Sequence, residues 1–222
     1  MNTLPRYIVL ALVSGVCFGA AAIALGQEKI YASPERMVER IQALSQFGAS
    51  PEGGVSRVAF SDADLAGRKY IIELMRNADL DVRVDTAGNI IGRRAGRDDR
   101  LPPILFGSHI DSVPGGGNYD GDVGVIGAIE VIELLNENGI ETSHPLEIVS
   151  FTDEEGGLTG SRAMIGKLTE AAMQVVSHSG MTIRDGIRHV GGDPGRLDLA
   201  VRKPGELAAF IELHIEQGAI LD

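Results

Sequence analysis

The chain has 222 residues, 44% of them hydrophobic and 23% charged, which is enough for one or two packed domains. Its net charge of -11 argues against a nucleic-acid binder, which needs a basic surface to replace phosphate counterions. Tryptophan is absent and aromatics make up 5%, so stacking platforms for bases or sugars are not expected either.

Arg6 is followed by an apolar run from Tyr7 to Gly26, broken only by Ser14 and glycines. Ala24 and Gly26 supply the small residues that a signal peptidase reads, with Gln27 as the new N-terminus. Uncleaved, the run of about 20 residues is long enough to anchor the chain in a bilayer. Residues 1–26 are therefore expected to be a signal peptide or an N-terminal anchor. The remainder, 27–222, is expected to be periplasmic or secreted, or else anchored, with membrane contact only through that segment. The single cysteine, Cys17, falls inside the run. The rest of the chain thus offers no disulfide, thiol nucleophile or cysteine metal ligand.

Ser33-Pro34-Glu35 reads as an N-cap, a proline at the first helical position and a first-turn acid. Met37, Ile41, Leu44 and Phe47 follow at helical spacing, and Gly48 ends the helix. A Gly-containing loop over Pro51–Arg57 leads to a second helix over Ser61–Asn77, with Leu65, Ile71, Ile72 and Met75 inside. Thr86-Ala87-Gly88 between two short apolar runs signals a hairpin. Buried strands are predicted at Pro103–Gly107 and Leu146–Phe151, with a helix over Val123–Asn138 between them. That is a βαβ unit and implies parallel strands. Ala208–His214 alternates as a later strand, and Lys203-Pro204-Gly205 is a turn. The fold class is α/β, with a mainly parallel sheet flanked by helices.

Four segments carry potential chemistry, and all fall near the C-terminal ends of predicted strands, where open α/β sheets bind ligands. In His109-Ile110-Asp111, an extended backbone would point both side chains the same way. Asp111 is then placed to accept from the His109 nitrogen that faces away from a metal. In Gly115-Gly116-Gly117-Asn118-Tyr119-Asp120-Gly121, glycines permit the sharp path that delivers Asp120 to a fixed point. Its two oxygens could bridge cations about 3.5–4 Å apart. Glu154-Glu155 follows a buried strand, where paired acids need a compensating positive charge. His214 with Glu216 and Gln217 ends the last strand. Taken singly, these segments also read as a polar strand end, a Gly-rich surface loop, an exposed acidic turn and a structural histidine. Taken jointly, they suit a Zn²⁺ or Mn²⁺ site built from His and carboxylate ligands. His144, His178 and His189 lie in polar or turn contexts and are read as structural or exposed.

The motifs Gly107-Ser108-His109-Ile110-Asp111-Ser112-Val113-Pro114, Gly116-Gly117-Asn118-Tyr119-Asp120-Gly121, Phe151-Thr152-Asp153-Glu154-Glu155-Gly156 and His214-Ile215-Glu216-Gln217-Gly218 resemble the M20 metallopeptidase clan. The closest likeness is to its amidase branch of N-carbamoyl-L-amino-acid hydrolases, ureidopropionases and allantoate amidohydrolases. The resemblance runs from about Ser33 to Asp222. It implies that His109, Asp120 and His214 hold one divalent metal, and that Asp120 and Glu155 hold a second. It further implies that Glu154 is the general base, that Asp111 orients His109, that Gln217 faces the substrate and that a cis peptide follows Asp120. The expected substrates are N-carbamoyl or ureido amino acids, small molecules. An aminoacylase or dipeptidase of the same clan is the alternative enzyme. Members of the family are homodimers of roughly twice this length, with an inserted lid and dimerisation domain and a further metal-binding His. On that reading the chain is a partial catalytic domain with an incomplete second metal site and no turnover at a useful rate. A fragment binding at most one metal is the alternative to an enzyme. Glu155–Arg162 departs from the usual amidase loop, which leaves the particular substrate open.

Overall fold

In the computed structural model of the chain, residues 29–218 are described. The expected export segment 1–26, with Cys17, lies outside them. The elements below belong to the unit Tyr31–Asp222.

Helix α1 spans Pro34–Ser45, and the Ser33 hydroxyl accepts from the Arg36 N–H at 3.2 Å. Helix α2 spans Asp62–Asn77, capped by Ser61 through the Asp64 N–H at 3.1 Å. Both starts fall where the cap signals place them, because a side-chain oxygen satisfies an N–H that has no partner inside the helix. Ile71 and Met75 of α2 are fully buried, each contributing about 1.5–3 kcal/mol relative to exposure. The expected inner positions Leu65 and Ile72 are only half-buried.

Strands β1 (Asp81–Val84) and β2 (Ile90–Arg94) form the predicted hairpin, antiparallel with Val84 opposite Ile90. Asp85 organises its turn by accepting from the N–H groups of Ala87 and Asn89 at 2.8 and 2.9 Å. Strand β3 (Ile104–His109), helix α3 (Asp122–Glu137) and strand β4 (Leu146–Phe151) make the expected strand–helix–strand unit. β3 and β4 are parallel, with His109 level with Phe151. Strand β5 (Ala209–Ile211) adds in parallel to the other side of β3. It is shorter than predicted, since pairing ends at Phe106 opposite Ile211 and His214 lies beyond it.

The strand order is β1-β2-β4-β3-β5. The sheet is parallel across β4-β3-β5 and antiparallel across β1-β2-β4, because the hairpin enters from β2 against β4. One face is covered by α1, α2 and α3 around Leu44, Ile71, Met75, Ile126, Ile129 and Ile148. The other carries Ile91, Leu105, Val149 and Phe151 against Met164. Between β4 and β5 the chain forms α4 (Glu154–Gly157), α5 (Thr159–Met164), α6 (Glu170–Met173), α7 (Ile183–His189) and a 3-10 turn at Leu197–Ala200. None of these carries a long apolar stripe, so periodicity gives them no signal. α1 is clamped to α3 by ion pairs, with Arg36 on buried Glu130 at 2.6 Å and Arg40 on Glu133 at 2.6 Å.

Candidate metal centre

β3 delivers His109 as its last residue, and the imidazole is buried. Its Nδ1 lies 3.0 Å from the backbone carbonyl oxygen of Asp111. Beyond β3, the loop through Asp120 turns back over the ring. Gly121 begins α3 with φ +67°, and a Cβ there would sit 2.6 Å from the His109 ring atoms. Glycine is thus required twice at this position, for its backbone angle and for the close approach. The Asp120–Gly121 peptide is trans, like all others among the described residues, which corrects the expected cis bond.

His214, past the end of β5, is partly exposed. Its Nδ1 lies 2.8 Å from the carbonyl oxygen of Ile215. Its Nε2 lies 3.5 Å from His109 Nε2 and 3.2 Å from Asp120 Oδ1, which is itself 3.7 Å from His109 Nε2. His109, Asp120 and His214 each offer a ligand atom within 4.8 Å of the others. With each Nδ1 donating to a backbone carbonyl, both Nε2 atoms present lone pairs to one another. Two lone pairs and a carboxylate oxygen converging on one point repel each other unless a positive charge lies between them. The donor set of two imidazoles and a carboxylate therefore fits a divalent cation.

The acids are arranged around this point. Glu154 Oε2 is 3.7 Å from His109 Nε2. Glu155 is raised above the usual carboxylate range by burial and by Asp120 beside it, while His109 works in the opposite direction. Glu155 thus faces Asp120, but it stands outside the cluster of three ligands. Gln217 donates its side-chain N–H to Asp120 Oδ2. It is therefore engaged with the carboxylate, where the resemblance had it facing the substrate. Asp111 also differs from expectation. Its carboxylate is 3.8 Å from His109 Nδ1 and instead accepts from the backbone N–H groups of Glu154 and Glu155 at 3.2 and 3.1 Å. β3 ends at His109, so the extended geometry that would align the two side chains is lost. Asp111 positions the ring through its main chain and the Glu154-Glu155 turn through its side chain. Burial pushes its carboxyl well above the usual range, with Asp64 and Asp153 adding to the push.

Several supports have no signal in the sequence. Arg57, in the loop before α2, is fully buried. It donates from Nε to the Ile110 carbonyl at 2.6 Å, from Nη1 to the Leu44 carbonyl at 2.8 Å and from Nη2 to both Asp122 oxygens at 2.8 and 2.6 Å. One guanidinium thus ties the end of α1 to the exit of β3 and the first turn of α3. Asp122 is raised to about 6 by burial, with Arg57 opposing. Asn89 reaches from the hairpin to accept from the Thr152 N–H at 3.0 Å, at the start of the acidic turn. Asp153 takes a left-handed conformation (φ 52°) and accepts from the Thr159 hydroxyl at 2.5 Å. Arg57 and Asn89 lie in loop and turn stretches, where only tertiary contacts reveal a role. His144 meets the Pro102 carbonyl at 2.7 Å, and His178 and His189 are exposed; all three lie outside the cluster.

Residues 105–222 match the peptidase family M20/M25/M40, and the chain belongs to that family. It is 42% identical over 193 residues to an N-carbamoyl-L-amino acid amidohydrolase of Geobacillus stearothermophilus, covering 85% of this chain and 47% of the relative. It is 36% identical to a ureidoglycolate hydrolase of Oryza sativa, covering 89% of this chain and 43% of the relative. The crystal structure of a hydantoinase/carbamoylase family amidase from Burkholderia ambifaria matches with a TM-score of 0.78 and 35% identity, over 86% of this chain and 48% of that one. The chain spans about half the length of the curated relatives it matches. The expected periplasmic, secreted or anchored location is corrected by these findings. The finding that overturns it is the likeness to carbamoyl and ureide hydrolases.

Proposed function

We propose that this chain is the metal-binding part of an amidohydrolase that cleaves a linear C–N bond in N-carbamoyl or ureido amino acids. The observation that carries the reading is the convergence of His109 Nε2, His214 Nε2 and Asp120 Oδ1, with both Nδ1 atoms committed elsewhere. The names of the relatives support a carbamoyl or ureido substrate over an acyl amino acid or dipeptide.

His109, His214 and Asp120 would hold one divalent cation, zinc or manganese, and Asp120 with Glu155 would face a second. Bound there, such a cation would supply polarisation of the substrate carbonyl and a lowered pKa for water at the site. Glu154, 3.7 Å from His109 Nε2, accepts the proton of the attacking water. The water oxygen bonds to the carbonyl carbon, the C–N bond breaks, and Glu154 returns the proton to the leaving nitrogen. Asp111 fixes the direction of Glu154 by holding the two N–H groups at the start of α4.

The test loads the purified protein with zinc and offers it N-carbamoyl-L-amino acids, N-acetyl-L-amino acids and dipeptides in parallel. Carbamoyl substrates are expected to turn over fastest of the three, at a rate far below that of a full-length relative, with Glu154→Gln slowing them about 10²–10⁴-fold. Preference for acyl or peptide substrates would overturn the substrate class. Unchanged rates in Glu154→Gln would overturn the assignment of the base.

A further inference from the structure

Strand pairing cannot hold His214 in place. The β3–β5 ladder ends at Phe106 opposite Ile211, three residues before the histidine. Residues 212–214 are exposed, and Leu213 leaves 56% of its surface to solvent. Two contacts bridge this gap. The hydroxyl of Ser108, fully buried and adjacent to His109, donates to Glu212 Oε1 at 2.5 Å. Gly124 of α3 lies so close that a Cβ there would meet the Leu213 carbonyl oxygen at 2.5 Å and Ser108 Cβ at 2.7 Å.

We infer that Glu212 and Ser108 are positioning residues. Their hydrogen bond extends the β3–β5 junction past the last ladder pair and sets His214 opposite His109. The inference rests on the reading of His109, Asp120 and His214 as metal ligands. The geometry supports it in three ways. The bond joins the residue before one proposed ligand to the residue two before the other. Its donor is a fully buried serine of β3, with Gly124 at the start of α3 pressed against its Cβ. Its acceptor is a carboxylate, and a bond from a neutral hydroxyl to a carboxylate is among the stronger kinds. Loss of a partner that orients a metal ligand commonly costs about 10–100-fold in metal affinity.

The experiment measures zinc affinity by competition with a chromophoric chelator, alongside backbone hydrogen exchange of the metal-free chain. Glu212→Ala and Ser108→Ala are each expected to weaken zinc binding about 10–100-fold. Both should speed exchange at residues 212–216, with thermal stability little changed. Glu212→Gln keeps an oxygen for the Ser108 hydroxyl and is expected to restore most of the affinity. A purely structural loss would lower stability in all three variants and give no rescue by glutamine. Wild-type affinity in Glu212→Ala, or exchange at 212–216 unchanged from wild type, would overturn the inference. If the wild-type chain takes up no zinc, the ligand reading fails, and exchange alone then decides whether the tether exists.

Discussion

His109 and His214 face each other across 3.5 Å, yet they are held in opposite ways. His109 ends β3 in register with Phe151 of the central strand β4, lies under Gly121 and is 1% exposed. His214 follows a three-residue edge strand and leaves 34% of its side chain to solvent. Asp111, Asp120 and the Glu154-Glu155 turn belong with His109, on a framework tied by Arg57, Asp122, Asn89 and Asp153. Gln217 belongs with His214. The cross-chain hydrogen bonds of the first region are mostly buried and join segments 43–65 residues apart, while the second has local bonds at His214 and Gly218 and reaches the first only through Glu212 to Ser108 and Gln217 to Asp120. One half of the centre is thus built by folding of the core, while the other is brought to it by a short segment. Metal uptake should then order the second region far more than the first.

The comparison breaks most sharply at the Arg57–Asp122 pair. Asp122→Ala leaves a fully buried guanidinium without its carboxylate, and guanidinium cannot shed its proton. Breaking a buried pair from one side costs about 3–5 kcal/mol. Urea or thermal denaturation of the metal-free chain should show a loss of that size. A cost below about 1 kcal/mol would mean that the first region is not the rigid half.

A smaller effect should appear with pH, again only in the first region. Burial raises Asp64, Asp85, Asp111 and Asp153 above the ordinary carboxylate range, Asp153 to about 6. A raised carboxyl holds its proton longer in the folded state than in the unfolded one. Its contribution is complete below the unfolded pKa near 4 and is lost as pH rises through the folded value. A tenfold difference in proton affinity between the two states corresponds to about 1.4 kcal/mol. The metal-free chain should therefore lose stability between about pH 4 and 6. Glu130, lowered on balance by Arg36 against its burial, works in the opposite direction. Denaturation midpoints across this range check the sign, and Asp85→Asn should flatten the slope. A midpoint that climbs from pH 4 to 6 would show that Glu130 and the surface acids outweigh the buried group.

The same contrast governs what was legible in the sequence. Ser33, Ser61 and the hairpin turn announce themselves through local chemistry, and β3, α3 and β4 through apolar runs. The candidate site could be read only from the four motifs together, because His109, Asp120, Glu154-Glu155 and His214 each have ordinary structural uses at strand ends and in loops. What was not legible is how they are held. That Asp111 would orient His109 by its carbonyl depends on where β3 stops, which a residue pattern leaves open. Arg57 is one arginine in a glycine-bearing loop, and nothing local distinguishes it from a solvated one. The short helices α4–α7 are held by caps such as Thr169 and Thr182 and by contacts across the fold, with too few residues to show a period.

The smallest expected change in stability comes from the second region, and it discriminates most cleanly. His214→Ala removes a side chain that is one-third exposed, whose Nδ1 meets the Ile215 carbonyl and whose Nε2 faces only the other two proposed ligands, Asp120 and His109. Surface substitutions of this kind stay within about 0.5 kcal/mol. His109→Ala instead empties a buried space beneath Gly121 and orphans the Asp111 carbonyl, so it should cost about 2 kcal/mol or more. Both variants should nevertheless lose zinc affinity by more than the roughly 10–100-fold expected for an outer partner. Equal loss of metal with unequal loss of stability is the signature of two ligands that share a function but not a foundation. If His214→Ala destabilises the metal-free chain as much as His109→Ala does, the segment after β5 is part of the folded framework and the distinction between the two regions fails.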